Sequence, residues 1–210
     1  MEIPPVVIDR LPLYARALAA LESLGREVVS SQELGQQLNV TPAQIRKDLS
    51  YFGRFGKQGR GYNVRKLLEE LRSILGLNRQ WRMALVGTGR LGRAILGYEG
   101  FAPQGFRIVE TFDSDPQWIG KAVNGLTIAS TDDLETILGG DPVDIGIVAV
   151  PAETAQQVID RLVRCGVQAI LNYAPIAAHV PPNVHIKRID PVLALQGMTY
   201  YLKADAASPK

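Results

Sequence analysis

A glycine-rich turn between an apolar segment and an amphipathic one constrains the fold of this chain more than any other feature. Residues 83–86 predict a buried strand, and apolar residues at helical spacing follow from Leu91. The turn fits a GxGxxG pattern, with Gly87 for the change of direction, Gly89 for close approach of a pyrophosphate, and Gly92 for packing of helix on strand. The pattern predicts a Rossmann-like unit that binds a dinucleotide through the turn residues, which are Gly87, Thr88, Gly89, Arg90, Leu91 and Gly92.

The acidic residue at the end of the next predicted strand indicates which dinucleotide is bound. Asp113 follows the apolar residues 106–112 and lies about 20 residues beyond the last glycine, where a carboxylate can bind the adenosine ribose diol. Ser114 and Asp115 come next, with no adjacent arginine for a 2′-phosphate. We therefore expect NADH and NAD+ as cofactors, in preference to NADP(H), with Asp113 and Ser114 in the site.

Strand and helix patterns alternate through the rest of the C-terminal half, which predicts an α/β fold with a doubly wound parallel sheet. Ligands bind such sheets beyond the carboxyl ends of the strands. Val150, Pro151 and Asn172 each follow or end a predicted strand, so we place them at the cofactor site. Simple turn formation is the alternative role for these residues.

The N-terminal half predicts a helix-turn-helix. Apolar positions in residues 13–24 indicate a first helix, and either Ser30 or Ser31 can cap a second. Thr41 then caps a third helix that begins with Pro42, a residue whose fixed φ and missing amide suit the first turn. Three helices in this order are the core of many DNA-binding domains.

The third helix has a buried face and a face suited to DNA. Ile45, Leu49 and Phe52 recur at helical spacing and predict the buried stripe. The other side carries small, polar and cationic groups that can contact base edges and phosphates. The predicted DNA-binding residues of this helix are Gln44, Arg46, Lys47, Ser50 and Tyr51.

The segment after the third helix predicts a cationic β-hairpin. Residues 53–62 are rich in glycine and carry Arg54, Lys57 and Arg60, so we expect a winged-helix domain whose wing contacts the sugar-phosphate backbone. Between Thr41 and Lys66 the chain has seven basic residues and one acidic residue. Such a patch favours a polyanion, although a solvated basic surface would have the same composition.

Composition excludes several other classes of protein. No export signal and no run of 18 apolar residues is present, which favours the cytoplasm and gives no reason to expect a membrane partner. The single cysteine, Cys165, cannot form an internal disulfide or a cysteine-rich metal cluster. We expect no catalytic residues and no metal site.

A C-terminal helix predicts self-association. Apolar residues in 191–203 are spread around nearly the whole helix, and such a helix requires burial by a second subunit. A homodimer would also present two recognition helices to double-stranded operator DNA with an inverted repeat. The predicted organisation is a winged-helix DNA-binding domain (1–78), a Rossmann NAD(H)-binding domain (79–190) and a dimerisation helix exchanged between subunits (191–210).

Taken together, these motifs resemble the Rex family of redox-sensing transcriptional repressors. The similarity is carried by residues 46–53 (RKDLSYFG), 59–62 (GRGY), 87–92 (GTGRLG), Asp113 with Asp115 and Pro116, 172–175 (NYAP) and 189–191 (IDP). It implies a homodimer that leaves its operator when NADH binds. It also implies that Arg16, Tyr98 and Asp190 couple the cofactor pocket to DNA binding, with Tyr98 and Asp190 next to the cofactor.

Other functions remain open at this level. An NAD-dependent oxidoreductase with an accessory N-terminal domain would need a proton donor, for which the chain offers His179 and His185. A CoA-binding module and a DNA-binding protein insensitive to redox state are further alternatives. For a sensor, the physical basis would be the positive charge of the oxidised nicotinamide ring, which raises its desolvation cost in an apolar crevice.

Overall fold

The computed structural model describes residues 3–57 and 60–206 and divides the chain into two compact units, Met1–Arg79 and Gln80–Lys210. The N-terminal unit contains helices α1 (Pro5–Ser23), α2 (Ser31–Leu38), α3 (Pro42–Ser50) and α4 (Val64–Ile74), and strands β1 (Val28–Val29), β2 (Gly56–Lys57) and β3 (Gly61–Asn63). The predicted boundary after residue 78 and the separate segment 191–210 stay predictions.

Capping residues set the ends of the N-terminal helices. Ser30 caps α2 in a reciprocal capping box with Glu33, and Thr41 caps α3 by accepting a hydrogen bond from the amide of Gln44. Helix α1 begins at Pro5, before the predicted range 13–24, and continues through Pro12. Proline suits the first turn, while inside the helix Pro12 removes one backbone donor.

The core of this unit forms where α1 packs against α4 and α2 packs against α3. Its fully buried side chains include Tyr14, Leu18, Ile45, Leu67 and Leu71. The three short strands form an antiparallel sheet in the order β1-β3-β2, which joins the hairpin to the helical core.

The C-terminal unit contains a six-stranded parallel sheet. Its strands are β4 (Trp81–Val86), β5 (Phe106–Asp113), β8 (Ala129–Ser130), β9 (Ile145–Val148), β10 (Ala169–Asn172) and β11 (His185–Arg188). The spatial order is β8-β5-β4-β9-β10-β11. This is the 3-2-1-4-5-6 order of the Rossmann fold, in which the direction of winding reverses between β4 and β9. The sequence-based prediction of a parallel α/β fold is confirmed.

Helices α5 (Arg90–Leu96), α6 (Leu134–Gly140) and α7 (Ala152–Arg164) flank this sheet. Between β5 and β8 lies a hairpin that the sequence analysis did not predict, formed by β6 (Ala122–Val123) and β7 (Leu126–Thr127). Its turn is Asn124-Gly125, and both residues have positive φ, as a two-residue hairpin turn requires.

Helix α8 (Pro191–Ala206) follows β11, and its large apolar side chains from Val192 to Leu202 are exposed in the monomer. Tyr200, Tyr201 and Leu202 each expose about 70% of their surface, at 71%, 68% and 69%. No helix within residues 3–57 and 60–206 combines the length and the apolar character that crossing a bilayer would take.

Candidate DNA interface and dinucleotide cleft

Helix α3 forms one wall of a surface cleft of about 750 Å³ in the N-terminal unit. Ile45 and Leu49 anchor the helix in the core, so the polar residues on its other side remain accessible. The start of α2 and the hairpin supply the remaining walls. This arrangement places a helix and a wing around one groove, as the sequence predicts.

Some predicted DNA-binding residues line this cleft and others lie outside it. Arg46, Ser50 and Arg54 are lining residues. In the described part of the unit, the predicted residues that do not line the cleft are Gln44, Lys47, Tyr51 and Arg60. Lys47 and Arg60 are exposed. The side chain of Lys57 lies outside the described structure.

Helix α2 also contributes to the cleft, which no motif in the sequence indicated. Ser30, Ser31 and Gln32 line the same cleft, and the Nη1 of Arg46 donates to the Oγ of Ser31 at 2.9 Å. This hydrogen bond joins the two helices of the helix-turn-helix on the cleft side. The two consecutive serines predicted a helix cap, but only the fold brings Ser31 within hydrogen-bond distance of Arg46.

Gly61 permits the hairpin to pack against β1. Its φ is +71°, and a Cβ at this position would lie 2.7 Å from the carbonyl oxygen of Val29. Only glycine fits both the left-handed backbone and the close approach. The glycine therefore fixes the position of the wing next to α3.

The glycine turn of the C-terminal unit has three different local geometries. Gly87 has φ +96°, and a Cβ there would lie 2.5 Å from the carbonyl oxygen of Ala149. A Cβ on Gly92 would lie 1.9 Å from the carbonyl oxygen of Gly87, whereas a Cβ on Gly89 would have no atom within 4 Å. The space beside Gly89 is therefore open to a ligand, and the other two glycines are required by packing.

A cleft of about 430 Å³ opens at this turn, at the carboxyl ends of β4, β5 and β9. Six of the predicted cofactor residues line it: Gly87, Gly89, Asp113, Ser114, Val150 and Pro151. The lining residues that the sequence analysis did not predict include Trp118, Asp132, Thr154, Gln157 and Arg161.

Asp113 is held to the glycine turn by several hydrogen bonds of its carboxylate. Its Oδ2 accepts hydrogen bonds from the amide and the hydroxyl of Thr88, at 2.5 and 2.6 Å, and its Oδ1 accepts from the amide of Asp115 at 2.9 Å. Burial alone would raise the pKa of this carboxyl group, but the hydrogen bonds, led by that of the Thr88 hydroxyl, lower it below its ordinary value. Asp113 therefore holds the glycine turn and remains ionised, with acceptor capacity left for a ribose hydroxyl.

Arg161 shows what sequence proximity could not reveal about this cleft. No arginine adjoins Asp113 in the chain, yet α7 brings Arg161 into the same cleft. Its guanidinium donates to both carboxylate oxygens of Glu135 and, at 2.6 Å, to the carbonyl oxygen of Thr131. The hydrogen bond from Arg161 is the main cause that lowers the pKa of Glu135 to about 2. The cation is thus already paired within the protein.

Trp118 carries two cations against its ring at the edge of the cleft. The guanidinium carbon of Arg93 lies 4.0 Å from the ring centroid, and the Nζ of Lys121 lies 5.0 Å from it. Arg93 also donates to the carbonyl oxygen of Thr88 at 2.9 Å. Arg93 therefore connects the indole ring to the glycine turn.

The remaining predicted cofactor residues do not line this cleft. Thr88 is buried beneath the turn, while Arg90 and Leu91 are exposed at the start of α5. Asn172 is buried and closes a tight turn, since its Oδ1 accepts from the amide of Ala174 at 2.9 Å. Tyr98 exposes 61% of its surface and packs its ring edge-on against another aromatic ring.

Asp190 and Arg16, the other residues assigned to coupling, are at the ends of the chain. The Oδ1 of Asp190 accepts from the amide of Val192 at 3.0 Å, at the start of α8. Arg16 is exposed on α1. The monomer thus gives Asp190 a capping role and leaves the side chain of Arg16 accessible.

Neither histidine belongs to the dinucleotide cleft. His179 and His185 are both exposed, and neither is a lining residue. Within residues 3–57 and 60–206, no group of three or more His, Cys, Asp or Glu side chains is arranged to hold a metal ion.

Two family models match this chain. The model described as "Putative DNA-binding protein N-terminus" matches residues 2–50, and the model described as "CoA binding domain" matches residues 78–176. The two matches fall in different structural units.

Curated relatives are similar over nearly the full length. The redox-sensing transcriptional repressor Rex of Roseiflexus sp. (strain RS-1) is 56% identical over 211 residues, covering 100% of this chain and 96% of the relative. Rex of Chloroflexus aurantiacus (strain ATCC 29366 / DSM 635 / J-10-fl) is 55% identical, covering 96% of this chain and 95% of the relative. Rex of Streptomyces coelicolor (strain ATCC BAA-471 / A3(2) / M145) is 43% identical, covering 99% of this chain and 83% of the relative.

Solved structures show the same similarity. The crystal structure of RSP in complex with beta-NAD+ and operator DNA has a TM-score of 0.93 and 36% identity, covering 98% of this chain and 95% of that one. RSP in complex with beta-NADH has a TM-score of 0.88 and 34% identity, covering 98% and 97%. RSP is described as a Rex-family repressor.

Proposed function

The chain belongs to the Rex family of redox-sensing transcriptional repressors, and from this premise we propose that it binds operator DNA through α3 and the wing and leaves the DNA when NADH binds. One observation carries the proposal. A single chain combines a cleft framed by Arg46, Ser50 and Arg54 with an open cradle at Gly89. The first suits a phosphate backbone and a base edge, and the second suits a pyrophosphate.

The glycine turn and Asp113 form the cofactor side of this proposal. Gly89 leaves its backbone accessible, and the ionised Asp113 fixes the turn through Thr88 and accepts from a ribose hydroxyl. Ala149, Val150 and Pro151 line another part of the cleft and make it apolar. The cofactor supplies a ring that is cationic when oxidised and neutral when reduced, and an apolar wall admits the neutral form at lower desolvation cost.

Repression requires two recognition helices, so we propose a homodimer that contacts an inverted repeat. The exposed apolar side chains of α8 are the surface that a second subunit would bury. We also propose that Arg16, Tyr98 and Asp190 couple the cofactor site to DNA binding across this dimer. The accessibility of Arg16 and Tyr98 in the monomer supports that role.

We propose no catalytic activity and place the protein in the cytoplasm, where free NADH and operator DNA meet. Hydride transfer to a substrate would need a proton donor at the cleft, and both histidines lie elsewhere. Incubation with NADH and a panel of carbonyl compounds tests this point. Steady consumption of NADH would contradict it.

CoA is a second candidate ligand because of the family model that matches residues 78–176. The carboxylates of Asp113, Asp115 and Asp132 all line the cleft, and Arg161, a cation of the same lining, is already paired with Glu135. These charges disfavour the phosphorylated ribose of CoA and of NADP(H). Titration with CoA, NADPH and NADH in parallel would separate the candidates, and we expect the tightest binding for NADH.

A gel-shift experiment tests the function as a whole. Duplexes with an inverted repeat are selected from a random library, and the binding of the protein is measured with NADH, with NAD+ and with neither, at several salt concentrations. We expect NADH to lower operator occupancy and NAD+ to leave it nearly unchanged. Nearly complete release needs about 10⁴-fold tighter NADH binding to the free form than to the DNA-bound form. Equal occupancy with both cofactors would refute the proposal.

A further inference from the structure

The recognition helix carries a fully buried carboxylate, and its contacts bear on how the helix contacts bases. Asp48 has no exposed surface. Its Oδ2 accepts from the Nε of Arg10 and the hydroxyl of Tyr14, both at 2.6 Å. Its Oδ1 accepts from the Nη2 of Arg10 at 2.8 Å and from the Nε2 of Gln44 at 2.7 Å. Each oxygen therefore has two donors, which nearly exhausts its acceptor capacity.

This carboxylate is charged in the folded protein. Burial on its own would raise the pKa of Asp48, but the hydrogen bonds from Arg10, Tyr14 and Gln44 outweigh burial and lower the pKa. Two of these donors, Arg10 and Tyr14, come from α1, so the charged group joins the recognition helix to the first helix. An ionised carboxylate can only accept hydrogen bonds.

The charge determines which end of the Gln44 amide faces the protein interior. Because Asp48 offers no donor, Gln44 must direct its NH₂ group to Asp48, which leaves its Oε1 for contacts outside the protein. Gln44 lies in the first turn of α3, directly after Pro42 and Ala43. The first turn of a recognition helix is where side chains contact base edges in the major groove.

We propose that Asp48 is a positioning residue for base recognition: held by Arg10 and Tyr14, it orients Gln44 to accept a hydrogen bond from an exocyclic amino group of the operator. The bases that present such a group in the major groove are adenine and cytosine. This inference rests on the proposed function, since it requires Gln44 to face operator DNA.

The experiment measures base preference at every position of a half-site, with each base pair changed symmetrically in a selected inverted-repeat duplex. For the protein itself we expect one position where adenine or cytosine is preferred by about fivefold, as expected for one hydrogen bond. Gln44→Ala should reduce that preference to about twofold or less and leave other positions unchanged. Asp48→Asn should do the same, because an asparagine can donate as well as accept and lets the Gln44 amide turn over.

Tyr14→Phe is the matched control. It removes a donor to the Oδ2 of Asp48 and leaves the contact between Oδ1 and Gln44 in place, so the preference should persist. Thermal unfolding of each variant measures stability separately. A loss of stability lowers the binding of all duplexes together and does not change their ratio.

A second variant keeps the test decisive if Asp48→Asn does not fold. Gln44→Lys can still donate to Asp48 but offers no acceptor, so the preference should move to guanine or thymine at the same position. Retention of the original preference in Asp48→Asn or in Gln44→Lys would overturn the inference. If Gln44→Ala alters no position, Gln44 does not contact a base and the inference falls, while NADH-dependent release by the wild-type protein would leave the proposed function intact. If the wild-type protein selects no inverted repeat, the proposed function itself fails.

Discussion

Substitutions at two glycines of one turn separate cofactor binding from folding. Gly89 has φ −58°, outside the left-handed region, and its Cβ would meet no atom within 4 Å. A Cβ on Gly92 would lie 1.9 Å from the carbonyl oxygen of Gly87, where an ordinary contact begins at 3.4 Å. Gly89→Ala should therefore impair binding and Gly92→Ala should impair stability.

The distances set the size of the second effect. To restore an ordinary contact, α5 must move from the strand by about 1.5 Å, the difference between 3.4 and 1.9 Å. Overpacking of this kind costs about 1–3 kcal/mol of the free energy of unfolding. For a unit of this size the loss lowers Tm by roughly 2–4 °C per kcal/mol.

For Gly89→Ala the structure predicts no clash within the protein, so Tm without cofactor should stay near that of the wild type. The added methyl group occupies the space through which a pyrophosphate reaches the backbone amides. Loss of one charge-assisted hydrogen bond costs about 1.5–3 kcal/mol, or roughly a 10- to 100-fold loss in NADH affinity.

Thermal unfolding with and without NADH measures both effects. At an NADH concentration of 100 Kd the wild-type protein should gain about 2.7 kcal/mol of stability, and Gly89→Ala should lose about half of this gain or more. Gly89→Ala should also bind operator DNA and fail to leave it when NADH is added. Wild-type NADH affinity in Gly89→Ala, or an unchanged Tm in Gly92→Ala, would refute this assignment of the glycines.

Four further predictions follow from single residues. Because the pKa of Asp48 in the folded protein lies below the ordinary 3.8, ionised Asp48 stabilises the protein above that pH, and the free energy of unfolding should fall as the pH drops through the folded-state pKa. Denaturant unfolding at several pH values should show a smaller fall for Asp48→Asn. Trp118→Phe should remove most of the tryptophan fluorescence change on NADH binding, since Trp81 does not line the cleft; an undiminished change would place the cofactor elsewhere. Tyr201→Asp should shift a dimer toward monomer in sedimentation experiments, because Tyr201 is 68% exposed on α8, and an unchanged dimer would exclude this surface. Lys47→Gln should weaken the binding of all duplexes uniformly and reduce by about one the slope of the logarithm of the binding constant against the logarithm of the salt concentration. A change confined to one base position would instead assign Lys47 to a base contact.

Several parts of the sites followed from local sequence. The order of Gly87, Gly89 and Gly92 predicted the turn, and Thr41 with Pro42 predicted the start of the recognition helix, because these residues act on backbone dihedrals and amides within one or two turns of the chain. The alternation of strands and helices likewise predicted the parallel sheet. Backbone dihedrals and capping depend on near neighbours and therefore appear in a linear pattern, whereas the close approach of Gly87 to Ala149 joins residues far apart in the chain.

Partners of side chains did not follow from the sequence. Asp113 was predicted as a ligand for ribose, and the fold adds its bonds to Thr88, while Arg161 enters the cleft from a distant helix. Three of the four hydrogen bonds that Asp48 accepts come from Arg10 and Tyr14 on α1, and no spacing in the sequence indicates them. The sequence by itself thus determined the local geometry of the turns and helix starts. Only the tertiary structure decided which charges are paired and which side chains share a cleft, because these contacts join residues that come together after the core has packed.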